Sequence, residues 1–510
     1  MSTSNASAAH KTYEQLLAEL KEIAVLRAAG SLLAWDERVN LPAKGAQSRA
    51  EQLSVLARLD HLKFTAPRID ELLGAAESSD LMNDPLSDAA VNVRWTRRAY
   101  DRAKKLPTEL VEELALTASL GENAWVDARK RNDFKTFEPW LAKQIDLKRK
   151  QAKCYGYKEH IYDALLDDYE PHATTAQVKA VFDEFRPKLV ALIQKVKNSG
   201  KKAPVEILER TYPKAAQEKF GLEAAAAIGF DLEGGRLDVS VHPFCSGIAP
   251  GDTRMTTRYD EHDLGNSLFS VLHEAGHGLY EQGLDPKHWG TPRGSAVSLG
   301  IHESQSRMWE NLVGRKRSFW KFMLPKARAA FPDALRDVKD EDFIFAVNDI
   351  RPSLIRTEAD EATYNLHIML RFDLEQQLLT GTLKPADVPA EWNRRMKADL
   401  GVDVPTDAKG CLQDTHWGSG LFGYFPTYSL GNMYSAQYFE KAQHDLGGDL
   451  DAMFARGEFA PLLKWLQTNI HLQGMRFAPR ELVKHVTGSD LSPEPLLRHL
   501  TRKAQEYYGV

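Results

Sequence analysis

Cysteine is scarce in this chain of 510 residues: Cys154, Cys245 and Cys411 lie far apart and form no Cys-x-x-Cys pair. An odd, scattered set argues against a disulfide framework and fits a reducing compartment. A surplus of either charge is also missing. The 66 Lys and Arg against 71 Asp and Glu leave a formal charge of −5, so no cationic field favours nucleic acid. No run approaches the ~18 apolar residues of a membrane span. The start, MSTSNASAAHKTYEQ, has neither the basic start nor the apolar stretch of a secretory signal. A cytoplasmic protein without nucleic-acid or membrane partners is the expectation. Repeats of fixed period and low-complexity linkers are lacking too, which disfavours a solenoid and a string of small domains.

What is present is helical periodicity. Hydrophobic residues make up 43% and charged residues 27%, a balance that suits a folded chain with a sizeable core. In TAQVKAVFDEFRPKLVALIQKV, the side chains Val178, Val181, Phe182, Phe185, Leu189, Leu192, Ile193 and Val196 recur at three and four, giving one buried stripe. Similar stripes fill most of residues 12–230, and Pro107 suits a helix start. The texture changes near residue 235. GRLDVSVHPF alternates, and RMTTRY is β-branched and aromatic, so two short strands are expected, with His242 to Asp252 as a loop. The fold expected is a mostly α-helical single globule with a small antiparallel β element. Residues 1–11 are read as a disordered tail and 12–510 as one catalytic domain, helical over 12–234 and site-bearing over 235–510.

The β element precedes SLFSVLHEAGHGLYEQG. Leu264, Leu268, Val271, Leu272, Ala275 and Leu279 mark one face of a helix, with Asn266 as N-cap and Gly283 as stop. His273 and His277 then lie one turn apart on one face. Two neutral imidazoles so placed bind one Zn²⁺, a third protein ligand leaves the fourth position for water, and Glu274 stands where a carboxylate can take that water's proton. Because H-E-x-x-H also arises by chance, a third ligand matters. SLGIHESQSRMWENLVG offers Glu303 and Glu310 on a second helix, capped by Ser298 and ended by Gly314. Glu303, far enough from His277 for the chain to return antiparallel, is the first choice.

Beyond this motif, the chain carries HPF at His242 to Phe244, DTRMT at Asp252 to Thr256, HESQ at His302 to Gln305, IRTEAD at Ile355 to Asp360 and GCLQDTHW at Gly410 to Trp417. WDERVNLP at Trp35 to Pro42 belongs with them. In this order and spacing the sequence resembles the M32 metallocarboxypeptidases. The resemblance implies zinc ligands at His273, His277 and Glu303, with one Zn²⁺ per subunit that Co²⁺ can replace, and a catalytic carboxylate at Glu274. It further implies a helical body split by a long substrate groove, a cytoplasmic homodimer, and removal of single C-terminal residues from peptides with broad tolerance but poor cleavage at proline.

A carboxypeptidase must hold a free α-carboxylate, which suits a guanidinium fork. Arg356 is the first choice and Arg254 the second, each against the reading that it merely pairs with an acid such as Asp252 or Asp360. Donors to a tetrahedral oxyanion are sought among Tyr424, Tyr428, His242 and His416, and Gln413 is grouped with them at the substrate. Two other functions remain: an oligoendopeptidase or dipeptidyl carboxypeptidase of related fold, and a non-enzymatic helical peptide-binding protein.

Overall fold

The computed structural model describes residues 2–240 and 242–510. Helix Thr175–Asn198 shows how apolar spacing becomes packing. Thr174 accepts from the amide of Gln177, whose side chain accepts from the Thr174 amide in return, so two first-turn donors are satisfied. Val178, Phe182, Phe185, Leu189, Leu192, Ile193 and Val196 are buried, the face that the three-and-four spacing marks. Helices of this kind make up most of the chain.

The larger hydrophobic cluster draws residues from Val91 to Tyr508 into one core around the HEAGH segment. A smaller cluster, including Leu16, Leu20, Ile23, Leu72, Leu73 and Tyr100, packs helices Ser2–Val39, Pro67–Glu77 and Asp88–Lys105 on one another. Asn92 ties this layer to the body: its Nδ2 donates to the Tyr13 hydroxyl (2.9 Å) and its Oδ1 accepts from the Arg293 amide (2.9 Å). The first helix begins at Ser2. Ala6, Ala8 and Ala9 favour helix strongly, so the turns nucleated by the packed Leu16–Ile23 face propagate towards the start.

The expected strands form β1 (Gly235–Val239) and β3 (Asp252–Thr257), but a third, β2 (Cys245–Ala249), lies in the segment expected as loop. The order is β1-β3-β2, with β1 parallel and β2 antiparallel to β3. The sheet is therefore mixed rather than wholly antiparallel. CSGIA has little strand propensity of its own. It pairs because Pro250 and Gly251, the latter at φ +80°, reverse the chain directly into β3, and pairing overrides propensity. Thr257 Oγ1 of β3 donates to Ser270 Oγ (3.2 Å), which fixes the sheet on the HEAGH helix. Among the described residues no helix is long and apolar enough to cross a membrane.

Candidate active site

The HEAGH helix, Leu264–Gly283, is capped by Asp263, whose carboxylate accepts from the Asn266 amide (2.9 Å). Asn266, expected as the cap, is instead the third helical residue, because the non-helical Asp263 backbone aims its own carboxylate at that amide. Leu264, Leu268, Val271, Leu272, Ala275 and Leu279 are all buried, which turns the opposite face, with His273 and His277, towards the site.

The HESQ helix, Leu299–Arg307, is capped by Ser298, which accepts from the Ile301 amide (3.0 Å). It continues as a π-helix over Met308–Val313 and ends at Gly314; such wide turns gather at functional sites. A Cβ on Gly276 would lie 2.6 Å from the Gln305 carbonyl oxygen and 2.6 Å from Ser306 Cα. Only glycine lets the two helices touch there, and that contact carries Glu303 to the histidine pair.

The ligand atoms of His273, His277 and Glu303 lie within 4.8 Å of one another. Glu303 Oε2 is 3.7 Å from His273 Nε2 and 3.4 Å from His277 Nε2. Ligands on a tetrahedral ion with bonds of 2.0–2.2 Å sit about 3.3–3.6 Å apart, close to the two separations from Glu303, so the donor set suits a divalent ion. The far ring nitrogens are held as well. His273 Nδ1 donates to Glu310 Oε2 (2.8 Å). With His277 Nε2 bare for a metal, its Nδ1–H donates to His302 Nδ1 (2.6 Å), and His302 then carries its proton on Nε2 and donates to Glu281 Oε1 (2.6 Å). Such outer partners set tautomer and ring orientation. Glu310, weighed against Glu303 as third ligand, thus lies on the other side of His273.

Arg307 bridges the two carboxylates, with Nε donating to Glu303 Oε1 (2.7 Å) and Nη1 to Glu310 Oε2 (3.2 Å). Burial alone would push both acids up, but Arg307 and the histidines prevail and hold Glu303 far below the usual carboxylate range and Glu310 at about 2. Glu274 is buried in the opposite circumstance: burial, reinforced by Glu303 and Glu310, pushes it up to about 7 against the pull of His273 and His302. The two acids of HExxH and HESQ are thus driven apart, one to bind cations and one to exchange a proton near neutrality. Burial and the nearby Glu274 and Glu281 push the Cys245 thiol of β2 well up.

Residues 15–504 match the family model of the carboxypeptidase Taq (M32) metallopeptidases. The chain belongs to the M32 family. It is 50% identical to thermostable carboxypeptidase 1 of Thermus thermophilus, over 98% of this chain and 99% of that one. Carboxypeptidase 1 of Bacillus subtilis is 37% identical, over 98% and 99%. The crystal structure of an M32 carboxypeptidase from Deinococcus radiodurans superposes with a TM-score of 0.94 at 39% identity, covering 98% of this chain and 100% of that one. This M32 protein is accordingly a metallocarboxypeptidase, an enzyme with a mostly helical fold and a metal requirement.

The remaining site residues of this M32 enzyme fall into two groups. Arg356 is buried. Its Nε and Nη2 donate to Asp414 Oδ1 (2.9 and 2.8 Å), and its Nη1 donates to the Tyr364 hydroxyl (2.9 Å). Its acidic partner is therefore Asp414 of GCLQDTHW, not the neighbouring Asp360. Arg371 shares that carboxylate, donating from Nε to Asp414 Oδ2 (2.7 Å), so two guanidiniums face one acid. Gln413 Oε1 accepts from the Arg356 amide (2.8 Å) and its Nε2 donates to the Leu354 carbonyl (3.0 Å), which positions the IRTEAD backbone. His416 stacks on Phe425 (4.4 Å) and its Nε2 meets the Tyr428 hydroxyl (3.3 Å). Tyr428 lies 5.0 Å from the Arg356 guanidinium and 5.4 Å from the Tyr424 ring.

Arg254 and His242 stand apart from this cluster. Arg254 makes a bidentate pair with Asp252 (2.7 and 3.0 Å) and lies on the Trp35 ring (4.4 Å), so its fork is already filled. His242 is exposed and lines a separate cavity. Sequence reasoning missed Arg307, Asp414, Arg371 and Tyr364. Only Arg307 carried a signal, its spacing of four from Glu303 and three to Glu310.

Proposed function

We propose that the enzyme removes single C-terminal residues from peptides by metal-assisted hydrolysis, with His273, His277 and Glu303 as ligands of one Zn²⁺ per subunit and Glu274 as the proton carrier. The observation that carries this reading is the buried Glu274 carboxyl beside a compact His-His-Glu donor set. A zinc ion held there supplies Lewis acidity towards the scissile carbonyl and the attacking water, and Co²⁺ offers similar chemistry. Glu274 accepts the proton of that water and returns it to the departing amine, so one carboxyl serves as base and then as acid. Arg307 keeps Glu303 anionic.

Arg356 is the residue we assign to the substrate's terminal carboxylate. The support is charge: among the described residues Arg356 and Arg371 pair with one carboxylate, Asp414, leaving a surplus of one buried cation, and Arg356 spends three of its five N–H groups on Asp414 and Tyr364. Tyr424, Tyr428 and His416 are grouped around it as oxyanion donors. Family likeness supports broad side-chain tolerance, disfavoured C-terminal proline and a homodimer. The three free cysteines support a cytoplasmic location.

Metal content and product masses from one short peptide test the reading together. Stepwise loss of single residues is expected, whereas loss of dipeptides or internal cuts would favour the oligoendopeptidase alternative. Glu274→Gln should retain the metal and lose about 10²- to 10⁴-fold in turnover. Near-normal turnover in a metal-replete Glu274→Gln preparation would overturn the assigned role.

A further inference from the structure

Next to Arg356 in sequence, Leu354 and Ile355 form one wall of an open cavity of about 820 Å³. Trp125 and Val126, from helix Thr108–Arg131, also line it. The cations Arg129, Lys130 and Lys409 line it against a single acid, Glu358. This is a local reversal of charge, because the whole chain is net negative at −5.

Across the rest of the surface, lysines and arginines are commonly matched with acids, as when Arg97 takes Asp70, Glu77 and Asp101 together. Here they are not. Among the described residues none of Arg129, Lys130 and Lys409 pairs with a carboxylate. Arg129 lies over the Trp125 ring (5.4 Å), and the nearest acid along its helix, Asp127, is already taken by Arg131. Two further cations near the same loop rest on uncharged partners: Arg38 over the Phe244 ring (5.0 Å) and Arg258 on Asn266 (3.2 Å). His242 registers this field. Partial burial of its ring, together with Arg258, Arg129 and Arg38 and against the pull of Glu122, holds its imidazole below the ordinary histidine range, so it offers a neutral hydrogen-bonding ring among the cations. Clustered like charges repel, and an anion that enters relieves the repulsion while its chain packs on Trp125, Val126, Leu354 and Ile355.

We propose that this cavity is a subsite for acidic side chains, so that the preferred substrates are peptides carrying Asp or Glu among their last few residues. The proposal rests on the carboxypeptidase reading above and adds the substrate class. Attraction between partly exposed charges is screened by salt, which makes the preference strongest at low ionic strength.

The test uses the holoenzyme and alanine hexapeptides in which a single Glu, Gln or Lys is moved through the last four positions. At one or more positions Glu should exceed Lys by about 10-fold in kcat/KM at low salt, the sum of two or three part-exposed ion pairs. The ratio should shrink several-fold in 0.5 M NaCl, where the screening length is about 4 Å. The double substitution Arg129→Glu, Lys409→Glu should invert the Glu-to-Lys ratio, and Lys130→Glu alone should reduce it. Thermal melting and metal content verify that each variant is folded and loaded. Equal rates for Glu and Lys at every position, or a ratio that the substitutions leave unmoved, would overturn the subsite. If every peptide were cut internally or by dipeptides, the carboxypeptidase reading would fail and the subsite with it.

Discussion

Truncating Glu310 should weaken metal binding, though less than truncating Glu303, and the size of the difference follows from the geometry. Glu303 offers its Oε2 directly to the ion position, 3.4 Å from His277 Nε2. Structural zinc sites with four ligands bind with about 10–16 kcal/mol, so one ligand is worth roughly 3 kcal/mol, or about 10²-fold. Glu303→Ala also frees the Arg307 guanidinium, which now donates to Glu303 at 2.7 Å, to repel the cation, and the expected loss rises to about 10³-fold. Glu310 touches only the far nitrogen of His273 (2.8 Å) and Arg307 (3.2 Å). Losing such an outer partner costs about 10- to 100-fold. Because Arg307 spans both acids, the double substitution should depart from additivity. Zinc affinity measured by competition with a chromophoric chelator, on variants shown to be folded without metal, gives the ranking. A Glu310→Ala loss equal to or above that of Glu303→Ala would move the third ligand to Glu310 and refute the assigned geometry. No loss at all would show that the carboxylate on His273 does nothing for the site.

Gly276→Ala should cost about 1–3 kcal/mol of stability and lower zinc affinity as well, because its Cβ meets the Ser306 backbone at 2.6 Å and forces the two site helices apart; thermal melts and the same chelator assay measure both. Arg356→Ala should lower kcat/KM on peptides with a free C-terminus by about 10- to 150-fold, the worth of one charge-assisted bidentate contact, and barely change the already poor cleavage of C-terminal amides. An equal penalty on acid and amide would reduce Arg356 to a structural partner of Asp414. Lys503→Met should cost about 3 kcal/mol or more in chemical denaturation at neutral pH, since it strips the buried Glu361 of its ammonium partner and leaves only His499, at 3.0 Å. Burial pushes the Glu361 carboxyl up but Lys503 and His499 hold it well below its ordinary range. Its contribution is therefore present above the ordinary glutamate range and fades as pH falls. The stability deficit of Lys503→Met should shrink accordingly on acidification below about pH 4.5.

Local periodicity was enough to read the helices, because an apolar side chain every three or four residues has one way to leave water. The stripes through Val178 to Val196 and Leu264 to Leu279 are buried as written in the chain, save Val181, which is half-buried. His273 and His277 one turn apart are likewise a local fact, as is the Ser298 cap that starts the helix of Glu303. The family and its activity were legible from motifs in order. Tertiary structure decided what depends on chain segments distant in sequence. β2 exists because β3 offers it an edge, not because CSGIA favours strand. Asp414 became the partner of Arg356 across the fold in place of the neighbouring Asp360 that sequence proximity suggested, whereas Arg254 did pair with its neighbour Asp252. Glu310 came to lie on the outer nitrogen of His273 only once the Gly276 contact and the π-turn at Met308–Val313 had set the depth and rotation of the second helix. Periodicity reports which face of an element is apolar, whereas distances of a few ångströms between elements are settled by how closely their backbones can approach.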